Sequence, residues 1–589
     1  VAWGQADADV LSSGSTLAIN GVDVLTLKTS AGGLAPAERA AVVAKALGGF
    51  KRGQTVKVVA DPALRIALQD QTVVTITEAE AKAQKLDVNA LAENWCRGIN
   101  KALYIPPLAV NLTSVDLILG KANAVRVLGS QSRQASVRVE PTDLVEVERR
   151  GFDLMVTPKK LGEGQIILSL GTTTKSIPFT VSAYAANFPQ SFSVEVTGNP
   201  ASKDLVLEAI RGAMSTRFEA QPRARVEFDV PAVTAVKPGE MQVFQVMARV
   251  VAPGFAENSG VVSVAVKNVG GGRVFEDFLW YSNEPENLKG AGQLYYARLT
   301  TDSPARLLWH HCNKAMTPLV VQYVLANRSN REARVWVISG DAEPNADPTK
   351  AGFQAGSSFF QSWLGYQGSV VTIPARSVVP IVLRRITAEE TSSGLASLRL
   401  MPGSGEDVAL VGNALWPLEV AGEWQAQPMQ GKPWLVRRSI SFESFVLPVV
   451  GKQKHIYERP AKQVGFLYQV GGRLGFVRIG QESILSAIGE SPLSGNFGVH
   501  YVIDGRIENP TNKAQVVEGV FEASAGYSGA IFTVDGKLLP GKVLQSKETM
   551  RLFEFNLAPG QSREVRVETV PLSGAHYPAT ITVRTKGRS

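Results

Sequence analysis

Beyond residue 108 the apolar residues recur at every second position in short runs, and turn residues break these runs about every ten positions. VRVLG, ASVRVE, LVEVE, FDLMVTP, GQIILSLG and KSIPFTVSA follow one another between 125 and 183 in this way. Alternation places every second side chain on one face of a strand, so each run can bury one face and wet the other. A chain built from such units closes into β-sandwiches. The 54 glycines and 32 prolines, dispersed along 589 residues, supply the turns that so many strands need.

The first hundred residues read differently. Ser15–Ile19 and Val22–Thr29 flank Asn20-Gly21, a strong hairpin signal. Pro36 opens a helix over 37–50 that Gly48-Gly49 ends. β-like runs follow at 55–60, 64–69 and 72–77. Thr77 with Glu80 forms a capping-box pattern for a helix over 78–85, and Asp87 caps another over 88–103. In that last helix Leu91, Trp95, Ile99 and Leu103 share a face, so Trp95 is expected in the core. Residues 190–230 read strand, helix (201–218), strand, with Leu205, Ile210, Met214 and Phe218 on one helical face. A further helix is expected over 353–365.

The order hairpin, GGLAPAERA helix, ITEAEAKAQ and LAENWCRGINKAL helix, over residues 12–104, is similar to a module of some bacterial mechanosensitive-channel relatives. In those relatives it is the extracytoplasmic module ahead of the channel domain. It also resembles the start of uncharacterised exported bacterial surface proteins. No channel-like membrane domain follows here, so the resemblance implies location and not channel function. Residues 108–183, above all GFDLMVTPKKLGEGQIILSLGTTTKSIPFTV, resemble bacterial immunoglobulin-like domains. That likeness implies a spacer or adhesion module.

A repeat runs through the second half. VVQYVLANRSNREARVWVI (320–338) parallels VIDGRIENPTNKAQVVEGVF (502–521). IPARSVVPIVLRR (373–385) parallels LAPGQSREVRVET (557–569), and SSGLASLRL (392–400) parallels LSGAHYPATITV (572–583). The offsets stay between 180 and 185, which fits two diverged β-sandwiches. The expected fold class is therefore mainly β and multidomain. An N-terminal extension (1–13) precedes an α+β domain (14–105) and an immunoglobulin-like β-sandwich (106–186). A small strand–helix–strand α+β domain (187–260) and two β-sandwiches (261–425 and 426–589) follow.

Chemistry is sparse. Gly536-Lys-Leu-Leu-Pro-Gly541-Lys542 has phosphate-loop spacing, but Val543 replaces the Ser or Thr that holds magnesium and both flanks are β-like. Asp535-Gly536 reads instead as a hairpin turn. His310, His311 and Cys312 are consecutive, so on a strand they cannot converge on one metal. Asp341, Glu343, Asn345 and Asp347 place oxygen ligands at every second residue, as in the early part of a calcium loop. The sixth position is not Gly and the twelfth is Gly352 rather than a bidentate Glu, so a polar surface loop is the competing reading. The aromatic clusters at 278–283, 294–299 and 359–366 read as sandwich core, with sugar stacking or a subunit interface as the alternative. Neither a catalytic residue nor a cofactor is expected.

The net charge of +8 is mild for this length and no dense basic run carries interleaved aromatics, so nucleic acid is not an expected partner. Cys96 and Cys312 fall in different expected domains; a bridge is open, and free thiols are the simpler reading. No apolar run is long enough to span a bilayer as a helix. The opening VAWGQA resembles the region around a removed signal peptide, which leads to the expectation of a secreted or cell-surface protein. Together these readings favour a non-enzymatic structural subunit of an extracellular filament, sheath or surface layer, partnered by copies of itself. An envelope protein that binds or adheres to polysaccharide is the alternative. Residues 1–13, with Val1, Trp3, Val10 and Leu11, are a candidate donor strand with no internal partner of their own.

Overall fold

The computed structural model describes residues 8–51, 53–217, 219–221, 224–417, 424–427, 434–436, 440–441 and 451–587. The chain divides into two compact units, Val1–Tyr184 with Gly254–Ala256, and Ala185–Pro253 with Glu257–Ser589.

The first unit opens with a three-stranded antiparallel meander, Val10–Ser13, Thr16–Ile19 and Val22–Thr26. Asn20 and Gly21 both hold positive φ (50° and 85°), as the tight turn between its second and third strands requires. Helix α1 (Pro36–Leu47), a second meander (Val56–Val59, Arg65–Leu68, Gln71–Thr75), α2 (Glu78–Ala83) and α3 (Val88–Leu103) complete the α+β module. Thr77 accepts from the Glu80 amide, and Asp87 from those of Asn89 and Ala90, so both expected caps form. Trp95, Ile99 and Leu103 bury one stripe of α3 in the core. The Glu80 carboxylate is fully buried, accepts from Arg39, from the Lys28 and Thr29 amides and from the Thr29 hydroxyl, and is held below the usual carboxylate range.

One expectation fails here. Val10–Ser13 is not a free arm: Val10 pairs with Ile19 and Leu11 with Ala18. The alternation that suggested a donor strand serves its own hairpin, the nearest partner in the chain and the least costly loop to close. Val1 and Trp3 lie outside the described residues.

Seven strands form the sandwich that follows: Val115–Ile118, Asn123–Arg126, Ser136–Glu140, Val145–Arg150, Asp153–Pro158, Gly162–Leu170 and Thr173–Ser182. The second, fifth and fourth make one sheet, and the third, sixth, seventh and first the other. The first strand runs parallel to the last, with Val115 opposite Phe179. This is immunoglobulin-like topology.

In the second unit a single long sheet runs through Arg225–Asp229, Met241–Val251, Asn258–Asn268, Ser191–Val196, Ser369–Ile373 and Ala333–Asp341. It continues through Thr391–Leu400, Ala305–Asn313, Phe278–Ser282 and Ile456–Glu458. Helix α4 (Lys203–Thr216) packs on its early part and α5 (Pro348–Leu364) on its middle. A second sheet, containing Gly292–Leu299, Val408–Leu415, Leu319–Asn327 and Ser377–Ile386, closes the central sandwich. The C-terminal sandwich stacks Ala461–Gln469, His500–Glu508, Ser562–Thr569 and Phe532–Val534 over Gly475–Ile479, Ala579–Thr585, Gln515–Glu522 and Thr549–Leu557.

The domain limits inside this unit need correction. The division expected at 260/261 falls inside Asn258–Asn268, and that at 425/426 inside Trp424–Gln427, which pairs with Arg225–Asp229. The small α+β element and the central sandwich share one sheet, because Ser191–Val196 pairs on one side with Asn258–Asn268 and on the other with Ser369–Ile373. A limit drawn from composition cannot detect a hydrogen-bond ladder between distant segments. Phe218, placed on the apolar face of the 201–218 helix, lies outside the described residues, while Ile210 and Met214 are buried as expected.

The helix expected at 353–365 starts earlier, at Pro348, with Asp347 as its cap accepting from the Thr349 and Lys350 amides. It packs its apolar face between the central sheet and the C-terminal sandwich and leaves Lys350, Gln354 and Gln361 exposed. Phe359, Phe360 and Trp363 fill one common core with residues of both. Gly352 and Gly356 bring the backbone against Ser573 and Leu572, so close that an added Cβ would lie 1.9 Å from the Ser573 oxygen.

Candidate functional site

The densest group of buried ionisable side chains sits where α5, the strand Ala305–Asn313 and the C-terminal sandwich meet. Arg306 points from that strand with 1% of its side chain exposed and donates to Glu276 Oε2, itself 1% exposed, and to the Gly498 carbonyl at 2.7 Å. Arg273 donates to Glu568 Oε2 at 2.8 Å, and His500 Nε2 lies 2.8 Å from the same oxygen. Trp363 of α5 forms the hub. Its ring centroid is 4.9 Å from the Arg273 guanidinium, 5.1 Å from that of Arg306 and 4.8 Å from the His500 ring. A cation over a desolvated indole is worth about 2 kcal/mol, so this ring binds the cluster together as well as filling space.

Burial pushes the His500 imidazole below its ordinary value, although the hydrogen bond to Glu568 acts the other way. The same bond holds the Glu568 carboxyl below the usual range, helped by Arg273. His500 is thus neutral at pH 7 and donates through Nε2. Among the described residues its one side-chain hydrogen bond goes to Glu568, so a nucleophile activated by His500 is not part of the arrangement. Glu276 Oε1, Arg306 Nε, Trp363 Nε1 and His500 Nδ1 are buried without a protein partner among the described residues. The cluster's geometry is that of a polar latch tying three elements together.

The consecutive histidines divide as strand alternation requires. His311 faces the central sandwich, where Nδ1–H donates to the Pro285 carbonyl at 2.8 Å. The Tyr323 hydroxyl donates to Ser282 Oγ at 2.7 Å, and that hydroxyl reaches His311 Nε2 at 3.2 Å. His310 on the other face meets Ser393 Oγ at 3.0 Å. Burial lowers His310 to about 3 and His311 to about 4. Cys312 and Cys96 are free thiols.

The four residues of the calcium-like loop take separate duties. Asp341 Oδ2 accepts from Arg384 Nε at 2.8 Å and Glu343 Oε1 from Arg384 at 2.9 Å. Asn345 Oδ1 accepts from the Asp347 amide at 2.9 Å, and Asp347 caps α5. One arginine therefore occupies the place that a cation's charge would take, and among the described residues no three acidic, His or Cys side chains are grouped to hold a metal. The aromatic clusters are core: Trp280, Tyr295, Phe359, Phe360 and Trp363 are all almost fully buried. Phosphate-loop geometry is absent at 536–542, since Asp535 and Gly536 make the hairpin turn joining Phe532–Val534 to Lys537–Leu538.

Clefts open on the second unit, and two of them carry both polar and apolar walls. One, of about 650 Å³, lies between α4, α5 and the strand Ser369–Ile373 and is lined by hydroxyls and by Arg384 and Asp341. The other, of about 620 Å³, has Phe278, Trp280 and Ile456 in its wall and Arg298, Glu406 and Glu458 among its polar groups.

Residues 16–105 match the family model described as a domain of unknown function (DUF8459). No curated protein matches the chain. Among solved structures, a titin tandem of immunoglobulin domains aligns at 8% identity over 27% of this chain and 97% of its own, with a TM-score of 0.13. Tandem immunoglobulin repeats of Dlar align at 11% over 27% and 97%, TM-score 0.13. The insect immune protein hemolin aligns at 10% over 33% and 62%, TM-score 0.15. Scores this low carry no functional inference. The topology of the chain itself defines it as a mainly β, multidomain protein with an immunoglobulin-like sandwich and further β-sandwiches. No helix among the described residues is long and apolar enough to cross a membrane.

Proposed function

We propose that this chain is a non-enzymatic, exported structural protein, the subunit of a cell-surface or extracellular assembly held together by contacts between identical copies. One observation carries the reading. The sheet covered by α4 on one face leaves apolar side chains in the open on the other: Met241, Val243 and Met247 on one strand and Val261 on the next, between 45% and 62% exposed. These apolar side chains stand in two groups on either side of the hydrogen-bonded Gln245 and Ser263, and exposed apolar groups on a sheet face suit a surface that another copy covers. Sedimentation velocity and negative-stain imaging of the full chain across a concentration series test it. Concentration-dependent ordered assembly is the expected result; dispersed monomer throughout overturns it.

A second reading, recognition of polysaccharide, draws on the cleft of about 620 Å³, which the half-buried Phe278 lines together with Thr300, Thr301 and Ser303. Apolar walls with a few convergent polar groups suit a sugar ring. Glycan-array binding that Phe278→Ala abolishes is its test.

A further inference from the structure

Sheet edges decide how a β protein meets its neighbours, because each carries a row of unpaired backbone donors and acceptors. Natural edges are blunted by charge, by shortness or by bulges. Most long edges of this chain follow that rule. Val145–Arg150 carries Glu146, Glu148, Arg149 and Arg150; Ser136–Glu140 carries Arg138 and Glu140; Thr549–Leu557 carries Arg551 and Glu554. Gly292–Leu299 is interrupted by an irregularity between Gln293 and Tyr295. Ile456–Glu458 is three residues long.

Ala461–Gln469 breaks the rule. It stands at the end of its sheet, paired among the described residues only with His500–Glu508, and runs in unbroken parallel register with that strand over nine residues. Proline is absent from it, and its single charge, Lys462, is folded back with Nζ on the Glu482 carbonyl. Leu467 is 59% exposed, and on the neighbouring edge strand Phe476 is 62% exposed.

We infer that Ala461–Gln469 is the assembly edge, and that it pairs antiparallel with the same strand of a second copy about a two-fold axis through Gly465. The inference rests on the self-association proposed above and names the surface that carries it. The sequence of the strand selects both partner and register. Centring on Gly465 uses the whole strand and brings the two backbones together at the residue without a side chain. Opposite partners are then Val464 with Phe466, Gln463 with Leu467, and Lys462 with Tyr468. Val464 and Phe466 are half-buried members of the C-terminal core, so pairing extends that core across the axis. Each Lys462 stands in register with the buried Tyr468 and not with the other lysine, so like charges stay apart. A two-fold contact of this kind is isologous and closes on itself, so any longer polymer uses the Met241–Val261 face as its second contact.

The test uses the full chain. With Cys96 and Cys312 replaced by serine, single introduced cysteines report register under mild oxidation, read on a non-reducing gel: Gly465→Cys should form a covalent dimer with itself. Gln463→Cys should not, but should form one when mixed with Leu467→Cys. Leu467→Lys, at an exposed position, should keep the wild-type melting temperature and weaken dimerisation at least tenfold. Wild-type self-association with no Gly465→Cys dimer and no effect of Leu467→Lys overturns the edge and leaves the assembly reading standing. Wild-type chain that stays monomeric at every concentration overturns both.

Discussion

Asn327 and Asn509 make the same set of hydrogen bonds in two different sandwiches. Asn327 Nδ2 donates to the carbonyls of Arg331 (2.7 Å), Ile373 (3.1 Å) and Pro374 (3.0 Å), and Asn509 Nδ2 to those of Lys513 (2.8 Å), Leu557 (2.9 Å) and Ala558 (3.1 Å). Each Oδ1 accepts from the amide and hydroxyl of the residue two further on, Ser329 or Thr511. Each amide thus closes the turn after one strand and anchors it to the end of another. The strand pairings agree as well: Leu319–Asn327 pairs with Ser377–Ile386 as His500–Glu508 does with Ser562–Thr569. The two corners are alike in hydrogen bonding and in the strand pair they join.

Replacing either asparagine by alanine strands several buried carbonyls, at about 1–3 kcal/mol for each group left unsatisfied. Asn327→Ala and Asn509→Ala should each lower the urea midpoint, with Asn→Asp losing nearly as much because a carboxylate cannot donate. Unchanged midpoints for both alanine variants would show that the corner is not a source of stability.

The Arg306–Glu276 pair yields a sharper test of the latch. Removing one member of a buried pair leaves a charge without compensation and costs about 3–5 kcal/mol, whereas replacing both with apolar groups is often neutral. Arg306→Met should therefore destabilise strongly, and Arg306→Met/Glu276→Leu should recover most of the loss. The readout is the urea midpoint of each variant. Additive losses in the double variant would contradict the pairing.

Local features were legible in the sequence and long-range ones were not. The Asn20-Gly21 turn, the Thr77 and Asp87 caps and the buried stripe of α3 are each fixed by residues within a few positions of one another. Asp347-Pro348 is also a readable helix start, a cap followed by proline, but the polar alternation before it reads as a surface loop with a candidate ion site, which puts the expected helix start at 353. The latch joins residues 273, 276, 306, 363, 500 and 568, and no spacing rule connects them. The long sheet was invisible for the same reason: Ser191–Val196 and Ser369–Ile373 become neighbours only through the fold. In both cases the decisive partner is far away in sequence.

Burial of His310 and His311 sets a pH dependence. Their pKa values fall to about 3 and about 4, below the ordinary value of 6.5 that the unfolded chain recovers. Below pH 6.5 the unfolded chain takes up protons that the folded chain refuses, so stability falls on acidification. The slope contributed is about 1.4 kcal/mol per pH unit for each histidine, and it persists down to the folded-state values. Above pH 7 the contribution is complete and flat. Urea titrations between pH 7.5 and 5 should show the loss, and His311→Gln should reduce its slope. An equal slope in wild type and variant would remove His311 from the account.

Arg384 makes the last prediction, because it stands where a bound cation would. Its guanidinium joins Asp341, 10% exposed, to the fully solvated side of the loop at Glu343. Since that positive charge is part of the chain, EDTA should leave the melting temperature unchanged and calcium should not raise it. A folded-state ligand at a hundred times its Kd would add about 2.7 kcal/mol, a shift easily seen by calorimetry. Arg384→Met should destabilise by about 2 kcal/mol, less than a fully buried pair because the arginine is partly wet. In that variant Asp341 and Glu343 lose their competitor, while Asn345 and Asp347 stay committed to the start of α5. If the loop holds calcium at all, Arg384→Met is the form in which added calcium restores stability, and a calcium response in the wild type would refute the role given to Arg384.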